Sequence, residues 1–271
     1  MMNIGHRLRV LAFGLVPLVG LIPEAKAEGD CTSLLAAGNS EYPPYLWPDR
    51  QRDNLLGANT RILEAIGSEL GIEIKVKHLG SWARVQELAQ SGDIDLVAGA
   101  FYTEPRTRYM EYIRPAFLET TSSVWVSRDA GIEFSGRNDL VGRSVTTVIN
   151  NSFGQDFDEF ARHNLDLDYV GSLEQAYRML AVGRTDFVLY EKQPGIAYAH
   201  LWELDDRIAL SGPAISSEGL YLTLAHKSPC YSEQLVSSLT RAVNRLHATD
   251  QFQHALENAQ QEWIRFNRNP Q

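Results

Sequence analysis

The strongest constraint on this chain is a ten-residue pattern that occurs twice. Leu88-Ala89-Gln90-Ser91-Gly92-Asp93-Ile94-Asp95-Leu96-Val97 lays over Met179-Leu180-Ala181-Val182-Gly183-Arg184-Thr185-Asp186-Phe187-Val188. Each copy runs from a helix end through one residue to Gly, then two residues, Asp and an apolar strand. Gly suits the positive φ that closes a helix, and the apolar residues enter a sheet. One copy is an ordinary helix-to-strand turn; two copies, 91 residues apart, predict two lobes built on one plan. The flanking sequence agrees. Leu34–Gly38 reads as a strand, Asn59–Leu70 as a helix stopped by Gly71, and Ile72–Val76 as an alternating strand. Trp82–Gln90 reads as a second helix with Ser81 as its N-cap, and Ile94–Ala98 as a buried strand. Strands alternating with helices predict an α/β fold in which each lobe has a mostly parallel sheet flanked by helices. Ligands of such sheets bind beyond the carboxyl ends of the strands, here Gly99–Phe101 and Tyr190–Glu191.

The first residues carry an address. His6, Arg7 and Arg9 precede an apolar run from Val10 to Ile22, and Pro23-Glu24-Ala25-Lys26-Ala27 follows. A basic start, a short apolar run and an A-x-A exit predict a secretory signal over residues 1–27, cleaved after Ala27. Glu28-Gly29-Asp30 before Cys31 lacks an acylation pattern, so no lipid anchor or membrane insertion is expected. With 25 Lys plus Arg against 34 Asp plus Glu, the net charge is −9, which argues against a nucleic-acid partner. The two cysteines, Cys31 and Cys230, are expected to form one disulfide in an oxidising compartment. They lie too far apart to share a metal, and none of the seven histidines has zinc-ligand spacing, so neither metal nor cofactor is expected. Phosphate-binding loops, dinucleotide fingerprints and nucleophile elbows are missing from the sequence.

Seven short elements together resemble the family 3 extracellular solute-binding proteins, the amino-acid-binding type of periplasmic receptor. Tyr42-Pro43-Pro44-Tyr45 is similar to that family's Y-P-P-F, and Gly57-Ala58-Asn59 stands at its G-F-D with only the glycine kept. Ser91-Gly92 to Asp95 matches S-G-x-x-D, and Ala98-Gly99-Ala100 stands at A-G-M. Thr103-Glu104-Pro105-Arg106 matches T-P-E-R with the middle pair exchanged; Gly183 to Asp186 with Glu191 resembles G-x-x-D-A-v-v-x-D; Glu262-Trp263 stands at K-W.

The resemblance implies a two-lobed type II periplasmic binding fold with two crossing hinge strands. Lobe one is expected over residues 28–118 and 219–271, and lobe two over residues 119–218. It implies a monomeric periplasmic protein that captures a small carboxylated ligand, an amino acid or relative, for an ABC permease, with no enzymatic activity. Arg106 matches the arginine that clamps the ligand carboxylate, a role suited to a planar fork of donors, although alone it reads as a surface arginine. Glu191 matches the acidic residue that receives the ammonium, one methylene longer than the usual Asp. Tyr42 matches the ring against the ligand, and Gly99 lies on the strand end beside it. Two departures stand out: Phe101 replaces a common hydroxyl, and Asn151-Ser152-Phe153 replaces G-T-T at a helix start. Ser152 is expected to cap that helix, whose free N–H groups suit an anion. Phe101 and Phe153, with Tyr42, Tyr45 and Trp82, imply an aromatic pocket, or else both phenylalanines are ordinary core. Two other functions stay open: a cyclohexadienyl-dehydratase-like enzyme using Glu191 as general acid, and a sensor input that docks onto a receptor.

Overall fold

The structure, a computed structural model, describes residues 31–268, so the signal segment and its cleavage point lie outside the described residues. In chain order the elements are β1 (Ser33–Ala37), β2 (Trp47–Pro48), β3 (Leu55–Leu56), α1 (Ala58–Leu70), β4 (Glu73–Val76), α2 (Trp82–Ser91) and β5 (Leu96–Phe101). There follow β6 (Met110–Tyr112), β7 (Leu118–Ser127), β8 (Val145–Val148), α3 (Gln155–Asn164), β9 (Leu167–Val170) and α4 (Leu173–Ala181). The last are β10 (Phe187–Glu191), α5 (Lys192–Leu201), β11 (Ile208–Ala225), α6 (Glu233–His247) and α7 (Gln251–Arg268).

The strands join in the order β4-β1-β5-β11-β7-β10-β8-β9, with β6 also on β11. The pattern of parallel and antiparallel pairing is the same from either end. In one half β4, β1 and β5 are parallel and meet antiparallel β11; in the other β9, β8 and β10 are parallel and meet antiparallel β7. β7 and β11 pair with each other along both halves: Leu118–Ser122 against Ser216–Leu220, and Val124–Ser127 against Ile208–Ser211. The register shifts between Ser211 and Ser216. The sheet is therefore mixed, parallel within each half and antiparallel where the halves meet.

Helices cover both faces. Ile62, Leu63 and Ile66 of α1 pack with Leu239 and Val243 of α6 and Ala255 of α7 against β1 and β5, while Val85 and Ala89 of α2 cover the opposite face. In the other half Tyr177 and Leu180 of α4 lie on one face, and Phe157 and Ala161 of α3 on the other. Trp263 of α7 touches both halves, edge-on to Trp47 at 5.4 Å and to Tyr198 at 5.5 Å.

The repeated Gly and Asp each perform one job. Gly92 and Gly183 follow their helices with φ of 84° and 71°. Asp95 Oδ2 accepts the N–H of Leu35 in β1 at 2.7 Å, and Asp186 Oδ2 accepts the N–H of Ser144 just before β8 at 3.1 Å. Each carboxylate thus ties the start of its half's first strand to the strand beside it. That use explains why β5 begins at Leu96 and not at Ile94: Asp95 lies in the turn. Cys31 and Cys230 are bonded, with Cα atoms 5.7 Å apart across 199 residues of sequence.

Two stability predictions follow from this geometry. Replacing Cys31 and Cys230 together by Ser should lower the unfolding free energy by about 2–5 kcal/mol, read from denaturant midpoints, because the unfolded chain loses a long cross-link. Gly183→Ala should cost about 1–2 kcal/mol for its positive φ alone, since a Cβ there meets nothing within 4 Å. Gly92→Ala should cost about 1–3 kcal/mol more, because its Cβ would stand 2.4 Å from the Lys227 backbone oxygen. Equal losses at the two glycines would contradict this account.

Candidate ligand-binding site

The carboxyl ends of β5 and β10 converge on one cavity of about 20 Å³, room for about one water molecule. Asn39, Tyr42, Trp82, Gly99, Ala100, Phe101 and Arg106 line it from one half, with Asn151 and Glu191 from the other and Leu220 from β11. Five of the residues expected from sequence meet here: Tyr42, Gly99, Phe101, Arg106 and Glu191. Gly99 is required by its neighbour. Asn59 donates from Nδ2 to the Ala98 carbonyl at 2.6 Å, and a Cβ on Gly99 would stand 2.9 Å from that nitrogen.

Ser152 and Phe153 stand outside the cavity wall. Phe153 is buried in the core of its own half, edge-on to Phe157 at 5.7 Å. The N-cap of α3 is Gly154, which carries no side-chain cap, so Ser152 does not cap the helix as expected. Ser152 Oγ instead donates to Asp158 Oδ2 at 2.5 Å and accepts from the Gly154 N–H at 3.3 Å. Asp158 Oδ1 accepts the Phe153 N–H at 2.9 Å. The anion-seeking donors ahead of α3 are thus taken by a carboxylate from within the helix. Tyr45 also belongs to the core beside Tyr42, their ring centroids 5.0 Å apart.

Arg106 sits in the 3₁₀ turn Pro105–Arg108 and is 6% exposed. Each of its three nitrogens already donates to the protein. Nε bonds Gln86 Oε1 at 3.3 Å, Nη1 bonds the Phe101 carbonyl at 3.1 Å, and Nη2 bonds the Asn150 carbonyl at 3.0 Å. Asn150 lies across the cleft with a φ of 60°, a left-handed conformation that asparagine tolerates. Its carbonyl also accepts from Trp82 Nε1 at 3.1 Å and Gln86 Nε2 at 3.0 Å. A second bridge crosses nearby: Tyr190 donates to the Glu41 carbonyl at 2.6 Å, and Glu41 Oε2 accepts the Leu173 N–H at the start of α4 at 2.9 Å. Asn150, Asp158 and Gln86 carry no local motif, so sequence reasoning assigned them no role; Asn151 was visible only as the first residue of the element that replaces G-T-T, and Trp82 joins the cavity wall as one of the expected aromatics.

Glu191 is 2% exposed at the end of β10, and its Oε2 has no hydrogen-bond partner. Burial pushes its carboxyl up to about 7, against the lowering pull of its own backbone amide, the Asn151 amide and the Arg106 guanidinium. The charge of Glu191 in turn helps burial to raise the hydroxyls of Tyr42, Tyr45, Tyr177 and Tyr190. Burial also raises the Asp158 carboxyl, and burial with Asp158 and Asp156 raises that of Glu218. Among the described residues no cluster of His, Cys, Asp and Glu is arranged to hold a metal, and no helix is long and apolar enough to cross a membrane.

A cleft between two matched α/β halves, lined by one cation, one buried acid and aromatic side chains, is the candidate small-molecule site of this fold. The profile of the bacterial extracellular solute-binding proteins, family 3, matches residues 34–264, and the chain belongs to that family. No curated protein sequence matches it. Among solved structures it is similar to a histidine kinase sensor domain with similarity to periplasmic binding proteins (20% identity, 87% of this chain and 97% of that one, TM-score 0.71). It is also similar to the P235GK mutant of ArgBP from T. maritima (18% identity, 84% and 94% covered, TM-score 0.70). A third is the amino acid ABC transporter substrate-binding protein AbpA from Streptococcus pneumoniae, bound to L-arginine (17% identity, 86% and 96% covered, TM-score 0.70). These likenesses show the type II periplasmic binding fold.

The buried acid predicts a pH signature of the ligand-free protein. With its folded value raised from 4.5 to about 7, Glu191 contributes stability that is complete below 4.5 and is lost as pH rises through 7. The lost amount is on the order of 3 kcal/mol. Glu191→Gln should therefore melt above wild type at pH ~8 and match it near the unfolded carboxyl value, as thermal unfolding across pH will show. A constant offset at all pH values would contradict the assignment.

Proposed function

We propose that the chain is a solute-binding protein that captures a small amine-bearing solute, an amino acid or relative, in the cleft between two lobes. Residues 28–118 and 219–271 form one lobe and residues 119–218 the other, with β7 and β11 as the hinge about which they part and close. The observation that carries this reading is Glu191: a buried carboxyl with an unpartnered oxygen, facing a cavity walled by Tyr42, Trp82 and Phe101. Such an acid favours an ammonium group, and the aromatic walls suit an apolar or cationic body. Arg106 receives a ligand carboxylate, where there is one, after the Asn150 bridge opens. The arginine-bound structure of AbpA supports the amine-bearing class. Exported and cleaved after Ala27, the monomer delivers its solute to an ABC permease in the inner membrane.

One observation favours a second reading. A carboxyl raised to about 7 is partly protonated at neutral pH, as a general acid must be. A dehydratase acting on a carboxylated ring would use Glu191 to protonate the departing hydroxyl.

One substitution separates the two. In a receptor, Glu191→Gln should weaken amine binding about tenfold or more in calorimetry, since a charge-assisted bond becomes a neutral one. Incubation with prephenate or arogenate should yield no product with wild type. Turnover in wild type that disappears in Glu191→Gln, with affinity for the ring acid kept, would replace the receptor by the enzyme.

A further inference from the structure

Three side chains of one half grip a single backbone oxygen of the other. Trp82 Nε1, Gln86 Nε2 and Arg106 Nη2 donate to the Asn150 carbonyl at 3.1, 3.0 and 3.0 Å. Trp82 and Gln86 are one turn apart on α2, so both project from the same face of that helix. Their own half holds Gln86 and Arg106 in place: Gln86 Oε1 accepts Arg106 Nε at 3.3 Å and the Tyr109 hydroxyl at 3.1 Å, while Arg106 Nη1 bonds the Phe101 carbonyl. The other half holds the acceptor. The Ile149 N–H bonds the Val170 carbonyl at 2.9 Å and the Asn151 N–H bonds the Val148 carbonyl at 3.0 Å, on either side of Asn150 at its φ of 60°. The Asn150 residue is exposed and its side chain makes none of these bonds, so it acts through its backbone.

Further bonds between protein groups close the same seam. The Glu104 N–H donates to Gln155 Oε1 at 3.2 Å, Asn39 Nδ2 to the Tyr190 hydroxyl at 3.2 Å, and the Tyr198 hydroxyl to the Ser40 carbonyl at 3.3 Å. Glu41 adds its carbonyl and its carboxylate, which accept from Tyr190 and from the Leu173 N–H. With these bonds made, the cavity measures about 20 Å³, whereas ligand pockets run to about 300 Å³ or more. The closed arrangement thus draws its cross-cleft bonds from the protein itself, and entry of any solute requires the Asn150 bridge to part.

We propose that the cleft is self-latched: the solute-free protein rests closed on the Asn150 carbonyl, and a solute enters through a minor open state. The carbonyl is an internal competitor for donors of Trp82, Gln86 and Arg106. The latch goes beyond the solute-binding reading and has two consequences for it. Apparent affinity is reduced by the fraction of molecules standing open. Loading leaves the cleft wider than at rest, since about 20 Å³ admits no solute larger than water.

The test is small-angle X-ray scattering on the exported, disulfide-bonded protein, stripped of solute by dialysis in denaturant and refolded with the bridge intact. Wild type should have a radius of gyration of about 18 Å, the value of one compact body of this length. Asn150→Gly should match it, because glycine adopts positive φ freely and keeps the carbonyl in place. Asn150→Val should be larger by about 1 Å, because a β-branched residue resists positive φ and moves the carbonyl off its donors. Trp82→Phe combined with Gln86→Glu should expand by a similar amount; it removes two donors yet keeps an acceptor for Arg106 Nε, and it serves if the Val variant does not fold. Stripped wild type as expanded as the variants overturns the proposal, as does a compact radius in either folded latch variant. No solute enters this measurement, so its failure leaves solute capture to be decided by calorimetry.

Discussion

The antiparallel pairing of β7 with β11 is the interaction on which the rest of the structure depends. It joins two parallel half-sheets that have no other strand in common, so the position of each half is set along one ladder. Glu191 pairs in register with Ser122 of β7, and Ser122 pairs with Ser216 of β11. The acid that faces the cavity is therefore one residue in a row crossing the joint itself. The Ser122 and Ser216 hydroxyls in that row are buried without partners, as is Glu191 Oε2.

Charge in the cleft is arranged around neutral acceptors. Arg106 is almost wholly buried, yet two of its three bonds go to backbone carbonyls and one to an amide. Its charge is solvated by dipoles and remains uncompensated by a bonded carboxylate, so it still acts on Glu191 and Asp158 through space. Trp82 adds a ring 5.3 Å from the guanidinium carbon. Three donors from one half meet a single carbonyl of the other, which makes the closed arrangement a property of the protein's own groups. A solute must compete with those bonds or complement what they leave free.

Several residues were legible in sequence because their jobs are local. Gly92 and Gly183 end helices, Asp95 and Asp186 cap strand starts, and both needs follow from backbone conformation within a few residues. Tyr42, Arg106 and Glu191 were found through the motifs that resemble the family's, Gly99 and Phe101 at the end of a strand, and all five line one cavity. Ser152 and Phe153 were grouped with them on the same logic and face elsewhere. A loop of altered composition keeps its place in the chain but not its direction. Asn150 was invisible because its contribution is a backbone oxygen, which every residue possesses.

The sequence by itself determined the alternation of strands and helices, the duplication of the half-sheet plan and the cysteine pair. Those depend on periodicity, on glycine's freedom at positive φ and on residue counts, all of which are properties of short stretches or of composition. Only the tertiary structure decided which polar groups stay free to meet a solute. Arg106 looks equally available in sequence whether or not its donors are taken, because its partner Asn150 lies 44 positions away and on the opposite half. Asn39 and Tyr190 meet across 151 positions for the same reason. Hydrogen-bond capacity is written residue by residue, but its use is settled by packing between segments that approach only in the folded chain.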